Sequence, residues 1–176
     1  MKIKHVTSFP QRLAIANGIF YSKVVFLISV WGGAEEYLLN SIQIMINKAM
    51  RAICKVGRSV KIEELQRRTN WLSVRQAVMY HSLMEARRVL VTREPQYLYQ
   101  RLTSTRAEAT IQTRTRHGAV APAPRLALTQ SSWRYRVLEA QERLPRDLMD
   151  LPVGENRDRI YRNRLRAWVK SSVTNK

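Results

Sequence analysis

Apolar and polar side chains recur along this chain in steps of three and four, and no sustained alternation of period two marks a pair of strands. The clearest stretch lies between Ala34 and Val56. Leu38, Ile42, Met45, Ala49, Ile53 and Val56 follow one face, while Asn40, Gln43, Asn47, Arg51 and Lys55 follow another. The spacing predicts an amphipathic helix stopped by Gly57. Upstream, Pro10 suits a first helical turn, and an apolar run continues to Trp31, where Gly32-Gly33 ends it. Two adjacent apolar helices with a two-glycine break predict an antiparallel hairpin.

Further on, Glu63 and Glu64 sit in the opening turns of a short helix expected near 61–69, where their charge suits the helix dipole. Ser73 with Gln76 three residues later forms a capping-box pattern. It opens a helix to about Arg93 with Met79, Leu83, Ala86 and Leu90 on one face, and Pro95 starts another through Leu102. From Thr103 to Gln130 the periodicity collapses into a Thr-, Ala- and Arg-rich segment with Gly118, Pro122 and Pro124. Helices return at 131–143 and 156–172. The fold class expected is all-α, with a helical bundle over 1–102, a flexible connector over 103–130 and a C-terminal helical segment over 131–176.

The stretch Leu13–Trp31 approaches the length of a membrane span. Lys23 lies near its centre, at a cost of about 2.5–3.5 kcal/mol on insertion scales. The following segment is also apolar and helical, so the stretch reads as a core helix and not as a span. No small-residue cleavage site follows a short apolar core, and no signal peptide is expected.

Charge changes the picture. The 176 residues include 31 Lys+Arg against 13 Asp+Glu, a formal net charge of +18. Residues 1–100 and 101–176 each carry +9, so no detachable basic arm accounts for the total. After residue 100 only Lys170 and Lys176 are lysines; the other basic residues are arginines. Planar guanidinium groups bind phosphate through two parallel hydrogen bonds, which points to a polyanionic partner, RNA or DNA. The alternative is a protein whose cell simply runs Arg-rich, or a ribosome-type structural basic protein.

Several chemistries are excluded. Cys54 is the single cysteine, so there is no internal disulfide and no multi-cysteine zinc site. His5, His81 and His117 have no metal-ligand spacing. Neither a G-x-G-x-x-G nor a G-x-x-x-x-G-K loop is present to cradle phosphates, and there is no nucleophile elbow. There is no Asp-Asp pair. Asp147 and Asp150, the nearest acidic couple, sit beside prolines in an apparent loop, where they supply no two-metal site. No catalytic residue, metal ligand or cofactor is expected in this chain.

Binding is better served. In the last helix Tyr161, Leu165 and Trp168 fall on one side, and Arg159, Arg162, Arg166 and Lys170 fall within about 80° on another. This stripe either faces phosphate or is a solvated charged face; both readings stand. Arg67, Arg68, Arg87, Arg88, Arg114 and Arg116 are further candidates for phosphate binding. Trp31, Trp71 and Trp168 lie at helix edges or on apolar faces, where core packing is expected over base stacking.

The order of several short strings carries a resemblance. Arg12 to Ile19 reads Arg-Leu-Ala-Ile-Ala-Asn-Gly-Ile, followed by Ser22-Lys23 and by the run from Ser29 to Gly33. Then come Leu39, Ile42-Gln43, Asn47-Lys48-Ala49, Arg51-Ala52, Glu64-Leu65, the run Trp71 to Val74, and Gln76. Pro95 to Leu98, Thr113-Arg114, Ser131 to Arg134, Leu144-Pro145 and the closing basic helix follow. In this order they resemble the region downstream of the catalytic palm in non-LTR, LINE-type retrotransposon reverse transcriptases, over nearly the whole chain.

The resemblance implies a helical thumb and its downstream region, which would hold a template–primer duplex by its phosphates. The implied partners are RNA or DNA, foremost a hybrid duplex, together with the palm and fingers of a parent polymerase. The Tyr-x-Asp-Asp palm motif, the fingers, the endonuclease and a cysteine-rich terminal motif are absent, so the chain resembles a fragment without polymerase activity of its own. Magnesium would belong only to the intact polymerase. A second reading, from another class, is a basic helical protein-interaction or structural module with an acidic partner.

Overall fold

A computed structural model describes residues 7–103, 132–149 and 155–172. Its elements are α1 (Phe9–Ala16), a wide π-turn (Asn17–Tyr21), α2 (Ser22–Val25), α3 (Ile28–Trp31), α4 (Glu36–Cys54), α5 (Ile62–Thr69), α6 (Val74–Thr92) and α7 (Gln96–Thr103). After the undescribed segment come α8 (Trp133–Glu142), α9 (Arg146–Met149) and α10 (Glu155–Ser172). The described residues hold no strand, and the protein is all-α. The expected connector lies, apart from Thr103, outside the described residues. The chain divides into two compact units between Ala77 and Val78, within α6.

In the first unit, the single helix expected over 10–31 is broken. The π-turn widens the backbone at Asn17–Tyr21, and the chain leaves helical geometry at Phe26 before Leu27 takes a left-handed conformation with φ 50°. The π-turn has a packing reason. It brings Tyr21 onto Trp71 at 4.6 Å between ring centroids and Phe20 to 6.0 Å from the same ring. The buried Trp71 indole donates to Asn17 Oδ1 at 2.7 Å, and the Leu72 amide donates to the Tyr21 hydroxyl at 3.3 Å. The expectation of core packing thus holds for Trp71. It does not hold for much of the apolar run around it, because Ile15, Ile19, Phe26 and Val30 are each half exposed or more. Among the described residues no helix is long and apolar enough to cross a membrane.

α4 forms over most of its expected length but is rotated. Its buried residues are Leu39, Ile46, Met50 and Ile53, whereas Leu38 and Met45 face solvent. Apolar residues occupy more than one side of this helix, so periodicity alone admits two faces, and packing against α1 and α5 selects one. Its stop also differs. Lys55, with φ 54°, closes the helix; its amide bonds back to Ala52 O, and the Val56 amide bonds to Arg51 O. This is a Schellman end two residues before Gly57, built without glycine at about 1–2 kcal/mol of left-handed strain. At the same end Arg12 donates to Ile53 O at 2.8 Å and to Thr7 O, so the start of α1 lies beside the end of α4.

Gln43, expected on the polar face, instead works inside the unit. Its Oε1 accepts from the Val74 amide at 2.7 Å and its Nε2 donates to Asn47 at 2.8 Å. The adjacent capping box is present as expected: the Ser73 amide donates to Gln76 Oε1 at 3.0 Å, and the Gln76 amide donates to Ser73 Oγ at 3.3 Å. Replacing Gln43 by leucine is expected to destabilise the chain by about 1–3 kcal/mol, because the buried Val74 amide loses its acceptor. Urea denaturation of the variant beside the parent measures this.

The second unit is built around α10. Leu83 of α6, Ala140 of α8, Leu144, Leu148 of α9, and Tyr161, Leu165 and Val169 of α10 form one buried cluster. Ala86, Val89, Leu102 and Val137 form another. Ser132 caps α8, accepting from the Tyr135 amide at 3.4 Å. α9 corrects the loop expected after Pro145: Asp147 stands in its first turn, and Leu148 is pinned in the core. Asp150 lies outside the described residues.

Candidate nucleic-acid interface

The rotation of α10 is set by Tyr161, Leu165 and Val169. Four residues apart and at most 3% exposed, they make one buried row. Val169 takes the central place expected for Trp168, which packs half-buried at the edge of the cluster. A row of this kind holds the helix firmly and leaves its flanks to solvent.

The charges divide accordingly. Asp158 is engaged within the unit, where Arg87 Nη2 meets its Oδ1 at 3.3 Å. The Arg87 guanidinium also lies 4.0 Å from the centre of the Tyr161 ring. With its side chain only 13% exposed, Arg87 is therefore an internal bracket between α6 and α10. Burial pushes the Tyr161 phenol above its ordinary pKa, while the Arg87 charge opposes that rise.

The other basic residues of α10 are placed differently. Arg159 and Arg162 are exposed, as are Arg157 and Arg164 on the opposite flank. Arg164 meets Asp147 only at 3.8 Å, in a solvent-screened pair of small energetic weight. Arg166 is half-buried, with its guanidinium 5.9 Å from the centre of the Tyr80 ring. Lys170 is exposed at the end of the stripe. Partial desolvation and, secondly, the nearby Arg166 charge hold its ammonium below the ordinary lysine pKa. Arg157 and Arg164 are additions to the expected set, and their spacing of seven residues, which places them on one flank of a helix, is the signal that marks them in the sequence.

Of the remaining candidates, those described lie on other helices. Arg67 and Arg68 stand on α5 in the first unit, and both meet Glu64, at 3.1 and 2.9 Å. The hydrogen bond from Arg68 is the main cause holding the Glu64 carboxyl below its ordinary pKa. Arg88 is 72% exposed and reaches Glu85 only at 3.9 Å. Arg114 and Arg116 lie outside the described residues. α10 thus carries Arg159, Arg162, Arg166 and Lys170, and Arg87 is engaged with its Asp158 and Tyr161.

No family model, curated protein or solved structure matches this chain.

Chemically, the α10 surface offers guanidinium forks on a helix anchored by its buried row. Among the described residues no group of three His, Cys, Asp or Glu side chains could hold a metal ion. Arginines on a fixed helix suit binding to phosphate oxygens, which positions a nucleic acid without reading its bases.

His81 lies close by in the same unit. Its ring packs edge-on against Tyr80 at 5.1 Å. Burial, and secondly the Arg166 charge, lower its pKa from the ordinary 6.5. Below that value the unfolded chain takes up a proton that the folded unit resists, so stability falls as the pH falls through and below about 6.5. Denaturation midpoints measured from pH 8 down to pH 5 should show this decline, and His81→Gln should flatten it.

Proposed function

We propose that this chain is a non-catalytic part of a retrotransposon RNA-directed DNA polymerase, and that it holds nucleic acid, foremost an RNA–DNA hybrid, through its phosphates. The family assignment rests on the order of the strings from Arg12 to the closing basic helix. The binding assignment rests on one observation above all: the Asp158 carboxylate turns to Arg87, while Arg157, Arg159, Arg162 and Arg164 stay exposed on the same helix. Such a surface carries excess positive charge at fixed spacing, which attracts a phosphate backbone whatever its base sequence. On this reading the palm and fingers of the parent polymerase are the protein partners, and any magnesium belongs to the palm.

Titration of a fluorescent RNA–DNA hybrid over a series of salt concentrations tests the reading. Counterion release predicts that log affinity falls linearly with log salt, with nearly equal affinities for hybrids of unrelated sequence. A flat salt dependence, or binding confined to an acidic protein with none to nucleic acid, would favour the interaction-module reading instead.

A further inference from the structure

We propose, resting on the phosphate-binding reading above, that the phosphate chain lies along one side of the seam between α6 and α10, where Arg88 of α6 is a phosphate contact beside Arg159 and Arg162 of α10. Two sets of contacts fix how the helices run. Arg87, later in α6, meets Asp158 and Tyr161, earlier in α10. Tyr80, earlier in α6, meets Arg166, later in α10. The helices are therefore antiparallel, and Arg88 stands level with the turn of α10 that holds Arg159.

Each helical residue is turned about 100° from the last, so the same contacts give direction. On α6, Tyr80 and Arg87 mark the side toward α10, and Arg88 is turned about 90° from it in the forward sense. On α10, Asp158 and Tyr161 mark the side toward α6, and Arg162 and Arg159 are turned about 70° and 130° in the forward sense. Arg157 and Arg164 are turned about 70° and 90° in the opposite sense. Between right-handed helices running in opposite directions, turns of the same sense lead to the same side of the seam. Arg88, Arg159 and Arg162 thus share one side, and Arg157 and Arg164 face the other. Two observations agree. Arg164 reaches Asp147 at 3.8 Å, which places α9 on the other side. His81, about 20° from Arg88 around α6, has its pKa lowered by burial and then by the Arg166 charge, so this face of α6 borders that flank of α10. Arg88 is 72% exposed, and Glu85 at 3.9 Å makes with it a solvent-screened pair of small weight. The shared side therefore carries guanidinium groups from two helices, whose axes pack about 8–10 Å apart. Cations on both walls of a seam hold a phosphate chain from two sides, which a single helical stripe does not.

Titration of a fluorescent RNA–DNA hybrid with the full chain over a salt series tests the proposal through two variants of equal charge change. Arg88→Gln should weaken binding about threefold or more near physiological salt and shrink the slope of log affinity against log salt by about 0.9. Arg146→Gln, an exposed arginine of α9 on the other side of the seam, should leave the slope unchanged and the affinity within about twofold. Arg88→Lys keeps the charge and should keep the slope, which provides a reading should the glutamine variant fail to fold. Equal slopes for the parent and a folded Arg88→Gln would overturn the proposal while the phosphate-binding reading stands. Equal losses in Arg88→Gln and Arg146→Gln would also overturn it, because charge would then act without regard to side, as would an Arg88→Lys variant that loses the full slope increment. A parent with no salt-dependent binding to the hybrid would overturn both.

Discussion

Leu165→Ala is expected to lower the stability of the second unit by about 2–5 kcal/mol, the range for truncating a fully buried leucine. Leu165 is 0% exposed and stands in the middle of the Tyr161–Leu165–Val169 row, with residues from α6, α8 and α9 in the same cluster. Its truncation removes both the transfer free energy of the side chain and the packing around the space left behind. Against a typical total of about 5–15 kcal/mol, the change is large enough to populate unfolded protein at moderate temperature. Ile160→Ala on the same helix supplies the control. Ile160 is 45% exposed, and its truncation should cost well under half as much. Equilibrium urea denaturation measures both. Equal effects at the two positions would mean that α10 is not anchored by this row.

The second large effect concerns binding. Arg159→Gln/Arg162→Gln is expected to weaken hybrid binding about tenfold or more near physiological salt. The slope of log affinity against log salt should shrink by about 0.9 for each phosphate that is no longer neutralised. These two positions are chosen because both side chains are exposed. Arg166 is spared because its guanidinium lies near Tyr80, so its removal would mix a packing effect with a binding effect. Glutamine has nearly the helix propensity of arginine, and circular dichroism should therefore be unchanged. The weakening should be alike across unrelated sequences, as for side chains that do not read bases. Unchanged slopes would identify the stripe as a solvated face.

Arg87 marks a limit on reading charge from sequence. Arg87 and Arg88 are neighbours of the same chemistry, yet one is enclosed by Asp158 and Tyr161 and the other is 72% exposed. Successive helical residues differ by about 100° in direction, and only the position of α10 decides which of them meets a carboxylate. The paired arginines at 67 and 68 differ in this respect: Glu64, three and four residues earlier, is a sequence-visible partner for both.

Features that depend on local geometry are legible along the chain. The all-α class, the Ser73–Gln76 capping box, the limits of α5 and the amphipathic character of the last helix all follow from periodicity and from hydrogen bonds within three or four residues. Tertiary packing decides the rest. It selects Leu39, Ile46 and Met50 over Leu38 and Met45 as the buried row of α4, because that helix carries apolar residues on more than one side. It opens a π-turn at Asn17–Tyr21, where stacking on Trp71 from far along the chain outweighs regular helix geometry. It draws Gln43 inward to the Val74 amide and Arg87 onto Asp158, since a buried donor or charge needs a partner that only folding brings within reach.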